Sequence, residues 1–239
     1  MSVDRKGNLE TIQETPGPCS GLGWLPDGRL LIVSMLDRRL LRMDAVGLSL
    51  VADLMGLATY HCNDMVVDRQ GRAYVGNFGF DLSRGDSPRP AEIIMVQPHG
   101  AARVVAEGLS FPNGTVITPD GKTLIVAETY GACLTAFDIE PDGSLSGKRN
   151  WATLNGAVPD GICLDQDGGI WVASPISNDA LRLQEGGEVT DRVKVENNAY
   201  ACMLGGPEMR TLFIGTSGLY VGSGCIERVD VDVPGSGLP

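Results

Sequence analysis

The segment from Asn63 to Asn77 reads NDMVVDRQGRAYVGN. Two polar residues lead into the apolar run Met65-Val66-Val67, a polar turn ends at Gly71, and the chain returns through Ala73-Tyr74-Val75. Short apolar runs bounded by turn residues read as the two arms of a strand hairpin. Four other segments share the layout: SGLGWLPDGRLLIVS from Ser20, NGTVITPDGKTLIVAE from Asn113, DGICLDQDGGIWVAS from Asp160 and ACMLGGPEMRTLFIGT from Ala201. Gly28, Gly71, Gly121 and Gly168 each fall eight residues after the first position, and Met209 takes that place in the last copy. Successive copies begin 41 to 50 residues apart. That period, with several short strands per unit, is the signature of propeller blades. A twisted four-stranded sheet cannot bury both faces alone. Sheets packed face to face around an axis can, and they leave only short edges. An ordinary sandwich would not repeat one internal turn five times.

The composition agrees. The chain holds 32 Gly and 14 Pro, which leave little room for long helices, and no run of twelve residues has helical periodicity. Further strands are legible at 91–107 and 133–154. The expected class is all-β, a single propeller domain over residues 1–239. With 43% apolar residues it has material for a sizeable core. A net charge of −11 argues against a partner that presents phosphates, whether nucleic acid or anionic lipid. No apolar run approaches membrane-spanning length, and residues 1–15 lack the apolar centre of a signal peptide, so the expected location is cytoplasmic. The six cysteines stand singly, without a Cys-x-x-Cys pair, and read as reduced thiols packed as small hydrophobes.

In a propeller, equivalent first positions of the inner strands converge on the central axis. Here they are Ser20, Asn63, Asn113, Asp160 and Ala201. Two amides and a carboxylate are oxygen donors suited to a hard cation. The same residues also read as Asx caps of their own strands. Spacing leaves both readings open.

At these residues the sequence resembles the regucalcin/gluconolactonase family of six-bladed propellers. The strings that carry the likeness are Phe111-Pro112-Asn113-Gly114, Pro159-Asp160-Gly161-Ile162-Cys163-Leu164-Asp165, Asn63-Asp64-Met65-Val66-Val67-Asp68 and Ala201-Cys202-Met203-Leu204-Gly205-Gly206. The resemblance runs from about Gly17 to Pro234. It implies a metal-dependent lactonase acting on sugar lactones or related esters. It also implies Asn113 and Asp160 as metal ligands, Asp160 as general base, and Asn63 and His61 as substrate contacts. The implied cofactor is a divalent cation, calcium first, with zinc, magnesium or manganese as alternatives. Asp64 is read as support for the adjoining turn or for the site. The family's remaining ligand, a glutamate in a Glu-x-Pro-x-Trp motif of the first blade, has no counterpart here. SGLGWLPDG matches the family's second blade, and residues 5–15 read as the outer edge of an incomplete first blade, pairing with residues 225–233. A lone protein carboxylate would hold a cation more weakly.

Other groups carry two readings each. Glu128 and Asn77 end second strands, where they either support the site or simply finish the strand. His99 sits in an exposed turn. Cys62 follows His61, but alternate strand residues face opposite ways, which argues against a nucleophile–base pair. Residues 80–90 form a polar insertion that is either a lid or a surface loop. The glycine-rich stretch 215–224 lacks the strand-to-helix setting of a phosphate loop, and no Gly-x-Ser-x-Gly motif pairs with a histidine. A non-catalytic, ligand- or protein-binding propeller is the alternative function, and a strictosidine-synthase-like propeller a weaker third.

Overall fold

The structure is a computed structural model and describes residues 2–3, 7–220 and 222–237. A hairpin of two-residue strands, β1 (Ser2–Val3) and β2 (Leu9–Glu10), precedes five antiparallel sheets. Sheet 1 holds β3 (Cys19–Trp24), β4 (Leu30–Ser34), β5 (Arg39–Asp44) and β6 (Gly47–Asp53). Sheet 2 holds β7 (Cys62–Val67), β8 (Ala73–Asn77), β9 (Ala91–Val96) and β10 (Ala102–Leu109). Sheet 3 holds β11 (Pro112–Ile117), β12 (Thr123–Glu128), β13 (Cys133–Ile139) and β14 (Leu145–Thr153). Sheet 4 holds β15 (Ile162–Leu164), β16 (Ile170–Ser174), β17 (Asp179–Leu183) and β18 (Val189–Lys194). Sheet 5 has three strands, β19 (Asn198–Gly205), β20 (Thr211–Ser217) and β21 (Cys225–Asp230). The helical content among the described residues is one 3-10 turn, Leu82–Arg84, inside the insertion.

The all-β propeller is therefore present, with five blades where six were expected. Each repeat builds one sheet, and there are five repeats. The stretch before β3 builds no blade. Its apolar residues between 7 and 15, Leu9 and Ile12, are both exposed, so they bring no face to bury. Nor does it pair with the end of the chain. Among the described residues β2 pairs with β1, and β21 pairs with β20. Arg5 and Lys6 lie outside the described residues.

The period-two alternation of strands explains how one sheet serves two neighbours. In sheet 2, Met65, Val67 and Val75 pack towards Leu31, Val33 and Leu40 of sheet 1. The intervening Val66 and Tyr74 pack towards Leu124, Val126 and Phe137 of sheet 3. Sheet 4 repeats the device: Ile170 and Val172 join Ile125 and Leu134 of sheet 3, while Trp171 and Ala173 join Leu212 and Ile214 of sheet 5. Four apolar interfaces thus hold five sheets in sequence. None among the described clusters joins sheet 5 back to sheet 1, so the ring is open there.

After β21 the chain crosses beneath sheets 4 and 5. Pro234 accepts from the Gln166 amide at 2.9 Å, and the Gly235 amide donates to Met209 at 2.8 Å. The Ser236 amide donates to Leu164 at 3.1 Å. This tail covers the turn end of the axis. The opposite end, where the inner strands begin, carries the predicted site.

Candidate functional site

The inner strands β3, β7, β11, β15 and β19 lie side by side around the axis, and hydrogen bonds at their first positions tie them together. Ser20 Oγ donates to the Asn63 carbonyl at 2.7 Å. Asn63 Nδ2 donates to the Pro112 carbonyl at 3.0 Å. The Gly114 amide donates to the Asp160 carbonyl at 3.1 Å, and the Gly161 amide to the Tyr200 carbonyl at 3.0 Å. The register slips at the start of four inner strands, between Cys19 and Leu22, Cys62 and Met65, Pro112 and Thr115, and Ala199 and Ala201. Such bulges re-aim side chains at a sheet end, here the end facing the axis.

Glycine at the second position lets the strands approach this closely. A Cβ on Gly21 would stand 2.7 Å from the Met65 amide nitrogen. One on Gly114 would stand 2.4 Å from the Ile162 nitrogen, and one on Gly161 2.8 Å from the Ala201 Cα. Sheets 2 and 5 depart from this rule, with Asp64 and Cys202 in that place.

Asn113 and Asp160 meet. The Asn113 side chain lies close enough to favour the Asp160 anion, and its Nδ2 donates to Thr129 Oγ1 at 3.1 Å. Thr129 Oγ1 in turn donates to the Pro159 carbonyl at 2.8 Å, beside Asp160. Asn113 is buried, and Asp160 and Asn63 are half-buried. Neither asparagine caps its own strand: both reach across to other segments, so the Asx-cap reading does not describe them.

The electrostatics are unbalanced. Burial, and then the nearby charge of Asp64, push the Asp160 carboxyl up to about 7, against the neighbouring Asn113 side chain and Gly161 amide, which favour its anion. Burial pushes Asp64 up to about 6, opposed by its bond from the Met65 amide. None of the ion pairs among the described residues involves either carboxylate. A cavity of about 350 Å³ opens along the axis; its lining is mainly apolar, from Leu22 and Trp24 of sheet 1 to Phe213 and Ile226 of sheet 5, with Asp64 and Thr115 among them and neither Asn113 nor Asp160.

His61 stands apart from this pair. It is half-buried, its ring 4.0 Å from that of Tyr60 and 6.4 Å from that of Phe78. Burial lowers its pKa, so the ring is mainly neutral at pH 7. None of the described hydrogen bonds joins it to Asn63, Asn113 or Asp160. Next to it an aromatic group forms at the start of sheet 3: Phe78 stacks on Phe111 at 4.7 Å, and Tyr130 packs 5.4 Å from Phe111.

The two undecided strand-end residues are structural. Glu128 accepts from the Ser110 amide and from Thr135 Oγ1, both at 2.6 Å. Asn77 donates to the carbonyl and carboxylate of Glu92 and accepts from the Gly79 amide. Cys62 is buried and its thiol is pushed up to about 12, which removes it as a nucleophile near neutrality. His99 is exposed. In the insertion, residues 82–90 are exposed, and Asp81 accepts from Ser83 Oγ at 2.6 Å and from the Arg84 amide at 3.2 Å. Sequence reasoning missed Thr129 and gave Asp64 only a supporting part.

Among the described residues no three His, Cys, Asp or Glu side chains group closely enough to hold a metal ion. A cation on this axis would need amide oxygens beside carboxylates, and Asn113 next to Asp160 is such a donor set. Its all-oxygen chemistry fits a hard cation.

Comparison with known proteins bears on the same residues. A 6-deoxy-6-sulfogluconolactonase of Pseudomonas putida is 26% identical over 251 residues, covering 98% of this chain and 84% of its own. A regucalcin of Danio rerio is 26% identical over 165 residues, 67% of this chain and 55% of the relative. The chain thus spans about half the length of the regucalcins it matches. Among solved structures, a calcium-binding regucalcin from Agrobacterium tumefaciens superposes with a TM-score of 0.80 at 21% identity, covering 96% of this chain and 81% of that one. At that identity the superposition speaks for the fold. The model of the SMP-30/Gluconolactonase/LRE-like region matches residues 1–218, which takes in the first four sheets, β19 and β20 of the fifth and every first-position residue. The chain therefore belongs to the SMP-30/gluconolactonase/LRE-like family.

Proposed function

We propose that this protein is a cation-dependent lactonase that opens a sugar lactone or a related cyclic ester at the Asn113–Asp160 end of its axis. The observation that carries the reading is the pairing of a buried amide with an uncompensated carboxylate on neighbouring inner strands. Family membership and the relatives named as lactonases support the reaction class.

Asn113 and Asp160 would hold the cation. Calcium is the first choice for a small all-oxygen set; magnesium, manganese and zinc are alternatives. A cation bound there supplies positive charge to a lactone carbonyl oxygen as negative charge develops on it. Asp160 takes the proton from the attacking water. The Thr129 hydroxyl fixes the Asn113 amide and ties it to the segment that carries Asp160. Asn63 is fixed by its bond to Pro112, which leaves its amide oxygen as an acceptor for a substrate hydroxyl. His61, neutral at the mouth, offers a second polar contact beside aromatic rings. Several such contacts are needed, because a sugar lactone is small and rich in hydroxyls.

The test is the Asp160→Asn variant, assayed for opening of glucono-lactone by proton release at pH 7.5 with calcium. The proposal expects loss of at least about 10³-fold in kcat, as for removal of a base that also holds the charge-stabilising group. Wild-type turnover in this variant would remove Asp160 from the chemistry.

A further inference from the structure

We infer that Phe111 is a positioning residue: a cluster of aromatic rings holds its backbone in a strained conformation, and that conformation sets Asn113 at the axis. The inference rests on the reading of Asn113 given above and adds what keeps that side chain in place.

Three observations carry it. The first is the backbone. Phe111 has a φ of 62°, in the left-handed region that residues other than glycine seldom enter. Arg38, Ala132, Asn178 and Met209 share that region. Each of those four lies in the turn between two consecutive strands of one sheet, where left-handed backbone is ordinary turn chemistry. Phe111 lies instead between β10 of sheet 2 and β11 of sheet 3. Among the described residues it is the one non-glycine that carries such backbone directly into an inner strand. The proline that follows adds to the cost, because a residue before proline prefers extended backbone.

The second is what holds it. Strained backbone persists where its surroundings over-determine it. The Phe111 side chain is buried, stacked on Phe78 at 4.7 Å, with Phe80 edge-on at 5.9 Å and Tyr130 at 5.4 Å. The backbone is clamped to the turn after β12. The Ser110 amide donates to Glu128 at 2.6 Å. The Thr129 amide donates to the Phe111 carbonyl and the Tyr130 amide to the Ser110 carbonyl, both at 3.1 Å.

The third is what it leads to. Pro112 and Asn113 follow directly. The Pro112 carbonyl accepts from Asn63 Nδ2 at 3.0 Å, and Asn113 Nδ2 donates to Thr129 Oγ1 at 3.1 Å. Thr129 thus grips the strained backbone through its amide and the site amide through its hydroxyl. The pairing of β11 with β12 passes from Pro112 to Thr115 and skips Asn113, so the strand ladder does not fix that residue. Its direction is set from the Phe111 side.

The experiment follows the Asn113 side-chain amide by heteronuclear NMR of the whole chain, its signal identified by its loss in Asn113→Asp. Hydrogen exchange at Nδ2, and calorimetric titration of the chelator-stripped chain with calcium chloride, are compared in the wild type, Phe111→Leu, Phe78→Leu and Phe78→Tyr. Phe78→Leu removes the stacked ring without touching the strained residue, and Phe78→Tyr keeps a ring there. Thermal melts confirm that each variant is folded at the temperature used. The expected result is exchange and a calcium dissociation constant both raised at least about fivefold in the two leucine variants, as for a lost ring pair, with Phe78→Tyr close to wild type. Unchanged exchange and affinity in the folded leucine variants overturn the role of Phe111 and leave the cation site standing. Equal losses in Phe78→Tyr also overturn it, since the stacked ring would then not be what acts. Faster exchange in the leucine variants of a chain that takes up no calcium, magnesium, manganese or zinc upholds the positioning by Phe111 and overturns the cation reading alone.

Discussion

Asp160 shows how burial and one neighbour set the chemistry of a residue. Its carboxyl is raised to about 7 from an ordinary 3.8. A carboxyl raised on folding adds stability that is complete below its unfolded value and is lost as pH rises through its folded one. In chelator, Asp160→Asn should therefore be more stable than wild type at pH 8, by about 2 kcal/mol or several degrees of Tm, and gain nothing at pH 4. Calorimetric melts at the two pH values decide this; equal Tm values at pH 8 would show that the charge is already compensated. The thiols give a second expectation. Iodoacetamide on the native chain at pH 8 should label Cys19 and Cys225, which are exposed, and spare the buried Cys62, Cys163 and Cys202. Peptide mapping by mass spectrometry reads the pattern, and rapid modification of Cys62 would contradict its burial. At this scale repeat register let the sequence place Asn113 and Asp160 at equivalent ends of neighbouring inner strands, because equivalent residues fall at equivalent ends of strands. It could not settle Asn77 or Glu128. Their partners, Glu92 for one and Ser110 and Thr135 for the other, lie on other strands or in a loop, and no local pattern names them.

The inner strand is the element on which the site depends, and its working feature is close approach. The glycine in Asn113-Gly114 seats β11 against the backbone that bears Asp160. Gly114→Ala would force a Cβ to 2.4 Å from the Ile162 nitrogen and 2.7 Å from the Asp160 carbonyl oxygen, where backbone must move. The expected cost is roughly 2–4 kcal/mol, with activity lost beyond what the lower stability explains. Gly56→Ala, with open space around it, should be within about 0.5 kcal/mol of wild type. Urea titration of both variants checks the contrast; a neutral Gly114→Ala would mean that the strands are not held this tightly. The hairpins themselves were legible, since the turn positions recur: Asp27 and Asp120 each accept the amide two residues on, as Asx turns require. The bulges were not legible. A register slip depends on how two strands twist against each other, and the residues at the four slips share no single type.

At the scale of the molecule, five sheets joined by four apolar interfaces make an open fan. The expected sixth blade is absent from the described structure for the reason already visible in the repeats: five hairpin copies give five sheets. What the sequence did not reveal is the state of the two flanking faces. Leu22 and Trp24 of sheet 1 and Met203 and Ile226 of sheet 5 are each 39% to 50% exposed, although their counterparts inside the fan are buried. Leu22→Asn or Ile226→Asn should therefore change stability by less than about 1 kcal/mol, while Leu134→Ala, at an internal interface, should cost about 2–5 kcal/mol. Denaturant midpoints separate the two cases, and a heavy penalty at Leu22 would show that this face is covered. The open side also leaves the axial cavity accessible, and the account stands or falls on what that axis holds. Its most direct test is lactone opening by chain stripped with chelator, followed by addition of calcium. The account predicts that turnover vanishes on stripping, returns with about one equivalent of cation per chain, and never returns in Asp160→Asn. Turnover that persists undiminished in the stripped protein would contradict it.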